Sequence, residues 1–305
     1  MKKLRGISII VATFNRPKDT LELLESIEKS FQYFYDKLKE YPKIEVIIAD
    51  NSTNNETREI PYRKFSYVRY IKIKPLGVSF VRDYAISRSK HEYIMITDSD
   101  CIVKEDWLLS IHQSLKKYNY PDVIQGAYFF PYKDNWLSNS ESGWDKIRYF
   151  KQKQADTRNF LIKRKFYRAI GGFNKKHFYS TGAEDLFLLK KLKKINAKII
   201  FDENIIVFHK YPSLRGELKR YFFYGKAAIH IKYDELDLFN KEFSPLALWK
   251  NLFTFRFGQI GPIEYSYQSL KLLFFTIGYF IGKNHYKKEL KENKIISPYL
   301  NYSVL

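Results

Sequence analysis

Over the first 118 residues, apolar segments of two kinds alternate. Ile7–Phe14 is an unbroken apolar, β-branched run, the pattern of a strand covered on both faces. After Pro17 the apolar residues Leu21, Leu24, Ile27 and Phe31 recur at helical spacing, with acids early and lysines late, which predicts a helix. Ile44–Ala49 reads as a second buried strand, closed by the turn formers Asp50-Asn51-Ser52-Thr53-Asn54-Asn55. Tyr67–Ile73 is a third strand, and the turn Pro75-Leu76-Gly77 leads into a helix over Val78–Arg88. Tyr93–Thr97 is a fourth strand ending at Asp98-Ser99-Asp100, and Trp107–Leu115 returns as a helix.

Strand-helix alternation implies right-handed crossovers and an α/β fold: a Rossmann-like, mostly parallel sheet flanked by helices. Ligands of such sheets sit beyond the carboxyl ends of the strands. Asn15, Asp50, Asp98 and Asp100 all fall just past predicted strand ends. Residues 121–210 are less regular, with a strand at Val123–Phe129, an aromatic loop to Trp144 and a basic helix near 145–154. A strand near Asn159–Ile162, a helix from Glu184 and strands at Lys198–Phe201 and Ile205–Phe208 follow. From 213 the chain turns helical: Leu214, Leu218, Tyr221, Phe222 and Ile229 share one face, opposite Arg215, Lys219 and Lys226. The expected division is 1–212, in halves 1–120 and 121–212, and a basic, aromatic helical extension over 213–305.

Composition narrows the classes. With 305 residues, 45% hydrophobic and 18% aromatic, the chain fills a real core and is neither disordered nor fibrous. The formal net charge is +20, which suits an anionic partner or, equally, a solvated basic surface. Residues 146–176 carry eleven Lys and Arg against one Asp, a local +10, which suggests a site facing something anionic. One cysteine, Cys101, excludes an intrachain disulfide and a cysteine-based zinc site, and a reducing cytosol is the simplest compartment. Met1-Lys2-Lys3-Leu4-Arg5 ahead of the first apolar run resembles a short signal peptide, but Asn15-Arg16-Pro17 provides no small-residue cleavage site. The longest apolar candidate, Leu272–Gly282, has eleven residues, too few to span a bilayer. With Lys271 and Lys283 at its ends and Trp249, Phe253 and Phe255 upstream, it reads as a membrane-surface helix or equally as an ordinary cap or dimer contact.

Asp98-Ser99-Asp100 places two carboxylates at a strand exit, where oxygen ligands suit Mg²⁺ or Mn²⁺ shared with substrate phosphates; the plainer reading is a helix-capping turn. Glu184-Asp185, at a helix start after Thr181-Gly182, supplies either a general base or acids that complement the helix dipole. His209, at the end of a strand, is a further ligand candidate beside a carboxylate-held cation.

In this order and spacing, the motifs resemble the family 2 glycosyltransferases of the GT-A fold over about residues 7–231. Ile7–Pro17 is similar to the family's opening strand and turn, with Ala12 where proline is commoner and Phe14 where tyrosine is usual. Val46–Thr53 is similar to its second strand, and Leu76–Asp83 to its glycine-to-arginine helix entry, with Asp83 in place of asparagine. Asp98-Ser99-Asp100, Gly171-Gly172-Phe173, Glu184-Asp185, Val207-Phe208-His209 and Tyr224-Gly225 follow in the family's order.

The resemblance implies a nucleotide-sugar half over 1–120, an acceptor half over 121–212, and inverting transfer of a sugar to a glycan or lipid-linked acceptor. Thr13, Phe14, Asn15, Asp50, Arg82 and Asp98 would contact the donor, Asp50 through the imide hydrogen of its base. Asp100 and His209 would hold Mn²⁺ or Mg²⁺, Asp185 would be the general base, and Glu184 would orient the acceptor. Gly171, Gly172, Phe173 and Trp144 would line the acceptor side, with Lys210 and Arg215 as further phosphate contacts. A uridine diphosphate donor, an acceptor of anionic character and a cytoplasmic protein in peripheral contact with the inner face of a membrane complete the expectation. The rivals are a basic nucleic-acid-binding protein, a nucleotidyltransferase and an inactive glycan-binding relative. The acids at successive strand and helix ends argue against the first, and the absence of a glycine-rich loop after the first strand argues against the second.

Overall fold

A computed structural model describes residues 6–74, 77–130, 155–173, 184–210, 213–234, 244–254 and 261–291. The chain divides into two compact units, one within 1–131, 145–178 and 185–210, the other within 132–144, 179–184 and 211–305.

The first unit is built on β1 (Ile7–Thr13), α1 (Pro17–Leu38), β2 (Ile44–Asp50), β3 (Val68–Lys72), α2 (Val78–Ser87) and β4 (Tyr93–Asp98). It continues through β5 (Cys101–Val103), α3 (Trp107–Lys117), β6 (Val123–Phe129), β7 (Phe160–Lys163), α4 (Arg164–Ala169), α5 (Glu184–Lys194) and β8 (Ile199–His209). Strands β3-β2-β1-β4 are parallel, as the alternation predicts, and β7 then joins β4 antiparallel. The order runs on through β6, β8 and β5, with β6 parallel to β8. Beyond β4, then, parallel and antiparallel pairings mix.

β5 starts three residues after the end of β4, yet it hydrogen-bonds at the far edge of the sheet, against β8. Three residues reach at most about 11 Å. The sheet must therefore curl until its last strands return to the exit of β4. This curl, invisible in any local pattern, is what positions the site.

Each face of the sheet carries its own core, which explains the unbroken apolar runs. Ile7, Ile9 and Val11 point with Val46 and Ile48 toward Leu23, Leu24, Ile27 and Trp107 of α1 and α3. Ile10, Ile47, Ile94 and Ile96 point the other way, toward Val81, Ala85, Leu188 and Leu189 of α2 and α5. The buried face of α1 is centred on Leu23, Leu24, Ile27 and Phe34, with Leu21 and Phe31 only half-buried at its margin. The two strands expected between Lys198 and Phe208 form one strand, β8, whose pairing with β6 shifts register between Gly126 and Ala127. β5 is too short to leave a period in the sequence. The aromatic loop to Trp144 and the basic helix near 145–154 lie outside the described residues.

The second unit contains α6 (Leu214–Asp234), α7 (Pro245–Thr254) and α8 (Pro262–Lys291). Close approach of α6 and α8 depends on glycine. A Cβ at Gly225 would lie 2.0 Å from the Phe275 carbonyl oxygen, and one at Gly278 would lie 1.9 Å from that of Phe222. Gly278 meets Phe222 and Gly282 meets Lys226, so the contacts advance in the same direction along both helices. Gly225 thus has a packing role. No helix among the described residues is long and apolar enough to cross a membrane.

Candidate active site at the sheet edge

Parallel register brings the ends of β2, β1 and β4 together: Thr13 pairs with Asp50 and Ala12 with Asp98. On the returning edge, Cys101 pairs with His209, which sets the end of β8 beside Asp100. Ligand atoms of Asp98, Asp100 and His209 all lie within 4.8 Å of one another. His209 Nε2 stands 3.3 Å from Asp100 Oδ1, and its ring meets Phe130 edge-on at 5.7 Å. Two carboxylate oxygens and an imidazole nitrogen, half-buried to buried, are a donor set that fits Mn²⁺ or Mg²⁺.

Both acids are matched by arginines. Arg82 Nη2 donates to Asp98 Oδ1 at 2.5 Å, and Arg16 pairs with Asp100. Arg82 is buried and its guanidinium lies 5.7 Å from the Phe173 ring centroid, so packing fixes it. Arg16 is half exposed. The only sign of Arg16 in the sequence is a cation directly after the strand-end Asn15.

Asn15 takes a left-handed conformation, φ 52°, which asparagine tolerates at a tight strand exit. Its backbone N–H donates to Ser52 Oγ at 2.7 Å, and its Oδ1 accepts from the Thr53 N–H at 3.1 Å. These bonds join the loop after β1 to the loop after β2. Phe14 stands exposed beside them, whereas Thr13 is buried and bonds Thr20 at 2.9 Å. Thr13 therefore anchors α1 below the edge.

Asp50 is fully buried. Its Oδ1 accepts from the Ser52 N–H at 2.8 Å, and its Oδ2 accepts from Tyr70 Oη at 2.7 Å and Lys72 Nζ at 3.0 Å. Burial alone raises its pKa, but the bonds from Ser52, Tyr70 and Lys72 outweigh that and hold it below the ordinary 3.8. Lys72 also donates to the Ser52 and Asn54 carbonyls, so it ties the whole turn. Tyr70 and Lys72 were likewise missed, although Lys72 is the register partner of Asp50.

On the other side, Gly171 and Gly172 adopt φ of 75° and 70°, which explains the paired glycines. A Cβ on Gly172 would meet Asp83 Oδ1 at 2.8 Å. Asp83, the departure from the usual asparagine, accepts from Tyr167 Oη and from the Phe173 N–H at 3.3 Å. Burial and that neighbouring carboxylate push the Tyr167 phenol up. The Gly171-Gly172-Phe173 turn is thereby clamped to α2, beneath Arg82. Glu184 and Asp185 form the first turn of α5, both half-buried, and neither belongs to the group around Asp100. Glu184 falls in the second compact unit and Asp185 in the first. Trp144 lies outside the described residues.

Lys210 bonds Asp19 at 2.5 Å and Glu22 at 2.7 Å, which ties the end of β8 to α1. The +10 band is not one cationic face among the described residues. Arg158 is held by Asp156 at 2.6 Å, Lys163 by Asp122 at 2.8 Å, and Arg164 by the carbonyls of His91 and Ile86. Only Lys165 and Arg168 of this described part are exposed.

This architecture has known counterparts. A mannosyltransferase from Pyrobaculum calidifontis, solved with GDP-Man and Mn²⁺, superposes with a TM-score of 0.55 at 15% identity, covering 95% of this chain and 76% of that one. S. aureus TarS, residues 1–349 with UDP-GlcNAc, superposes at 0.52 and 14% identity, covering 93% and 92%. At these identities the likeness shows the fold. In sequence, the glycosyltransferase GlyG of Streptococcus pneumoniae is 28% identical over 127 residues, 40% of this chain but only 39% of its own length. The glycosyltransferase AglE of Haloferax volcanii is 22% identical over 258 residues, 80% of this chain and 79% of AglE. The sequence profile of glycosyl transferase family 2 matches residues 8–172, more than half of the 305 residues. The chain belongs to glycosyl transferase family 2.

Proposed function

We propose that the protein is an inverting transferase that moves a sugar from a nucleotide diphosphate-sugar, with uridine as the base, to a hydroxyl of a glycan or lipid-linked acceptor. The observation that carries this reading is the convergence of Asp98 and Asp100 with His209, more than a hundred residues later, within 4.8 Å. Residues 1–120 would bind the donor and 121–212 the acceptor.

Mn²⁺ or Mg²⁺ held by Asp98, Asp100 and His209 would supply Lewis-acid neutralisation of the leaving diphosphate. Phe14, exposed at the strand exit, offers a ring for the base. Asp50 would accept the base's imide hydrogen when Lys72, 37% exposed, turns aside. Arg16 and Arg82, now paired with the two acids, add positive charge where the diphosphate would lie. Asp185 would take the acceptor hydroxyl proton on a carboxylate oxygen while that hydroxyl oxygen bonds the anomeric carbon. The bond from that carbon to the diphosphate oxygen breaks on the opposite face, releasing the nucleoside diphosphate with its electron pair.

A panel of UDP- and GDP-sugars screened for Mn²⁺-dependent nucleotide release tests the proposal. Asp185→Asn should reduce transfer by about 10²–10⁴-fold, the usual contribution of a general base, with donor affinity nearly unchanged. Release unaffected by the substitution would remove Asp185 from the mechanism, and no release with any donor would sink the reading.

A further inference from the structure

Helix α8 is apolar on both sides, yet α6 covers only one. Phe275, Gly278, Tyr279 and Gly282 face α6, and Lys271, expected to flank the apolar run, is fully buried against the rings of Tyr221 at 4.8 Å and Tyr267 at 4.6 Å. On the opposite side, Ile263, Leu270, Leu273, Ile277, Phe280 and Ile281 are all exposed. They recur at helical spacing and form one straight row roughly 27 Å long, at a rise of ~1.5 Å per residue. The row begins at a hollow of about 350 Å³ between the first turns of α6 and α8. α7 extends the row sideways. Trp249 Nε1 donates to Thr276 Oγ1 at 3.1 Å and stacks on Phe253 at 5.8 Å. Phe253 and Leu246 are 68% and 81% exposed.

We propose that this face docks on the surface of an anionic lipid bilayer, α8 lying in the interface with its apolar row among the upper acyl chains. Charge selects the occupant. Among the side chains described in α7 and α8, the fully exposed charged ones are Lys250, Lys287 and Lys288, with Glu264 and Lys283 half-buried. An aliphatic row bordered by lysines fits acyl chains under acidic headgroups. Gly278 and Gly282, the small-residue spacing that pairs helices within a membrane, are already occupied by α6. The row is therefore left for lipid to cover. The inference rests on the helical unit alone and holds whatever group the sheet unit transfers.

Flotation of the full chain with phosphatidylcholine vesicles, with and without phosphatidylglycerol, is the test. Wild type should float with the anionic vesicles. Ile277→Asp/Phe280→Asp should lower the partition coefficient at least tenfold with an unchanged circular dichroism spectrum, whereas Ile195→Asp, at an exposed apolar site of the other unit, should leave it intact. Lys287→Glu/Lys288→Glu should reduce binding to anionic vesicles by roughly tenfold or more, two charges at the surface being reversed. Wild type that stays at the bottom of the gradient overturns the proposal, as does a row variant that floats like wild type. Light scattering that shows a dimer, dispersed to monomer by the row variant, would overturn it in favour of a second copy.

Discussion

The two units solve the same packing problem in opposite ways. In the sheet unit β1, β2 and β4 of the parallel half are covered on both faces, and Asp50, Asp98 and Asp100 collect at one edge. In the helical unit close packing is achieved by removing side chains, at Gly225, Gly278 and Gly282, and the far side of α8 keeps Ile277 43% and Phe280 54% exposed. A core enclosed twice over leaves polar side chains gathered at its margin, beside the exposed ring of Phe14. A helix pair enclosed once leaves an apolar surface. On the proposed readings, the sheet unit serves a charged ligand and the helical unit a lipid surface.

If this contrast is right, damage to the two units should separate. Asp100→Ala should lower transfer by roughly a thousandfold, the equivalent of about 4 kcal/mol of lost charge stabilisation, and weaken Mn²⁺ binding in calorimetry. Because Asp100 lies at the margin of the cores, the melting temperature should hardly move; a large drop would mean that its pairs with Arg16 and His209 hold the fold together.

Gly278→Ala should do the reverse. Its methyl would sit 1.9 Å from a backbone oxygen of Phe222, so α6 and α8 must separate. The cost should be about 2–3 kcal/mol, read as an earlier thermal transition, with nucleotide release per folded molecule preserved. Equal loss of activity would mean that the helical unit is part of the site.

Lys72→Met gives the smallest effect and has a pH signature. Asp50 is depressed below 3.8 in the fold, so its contribution to stability is complete above that value and fades as pH falls through the lower folded value. Without Lys72, stability at pH 7 should drop by about 1–2 kcal/mol, a modest loss because the ammonium is partly solvated. Wild type and variant should converge in acid. A difference that persists at pH 2 would assign the loss to packing of the Lys72 stem.

Much of the sheet unit was legible because its signals are local. The runs at Ile7, Ile44 and Tyr93 predict strands to within a residue or two of their ends, and Asp50 and Asp98 are the last residues of β2 and β4. The pairing of Arg16 with Asp100, of Arg82 with Asp98 and of Lys72 with Asp50 was not legible, since each partner comes from a different loop or strand. Of the +10 band five cations are described, and formal charge did not show that carboxylates and carbonyls hold three of them, Arg158, Lys163 and Arg164.

What the sequence determined by itself is therefore the strands, the helices and the acids at their ends, all set by side-chain period and by backbone preferences within a few residues. Only the tertiary structure decided that β5 returns against β8 to bring His209 to Asp100, that Lys271 points inward, and that one side of α8 is left bare. Those outcomes depend on how far the sheet curls and how closely two helices approach. Both are sums over many weak long-range contacts, and no short stretch of the chain encodes them.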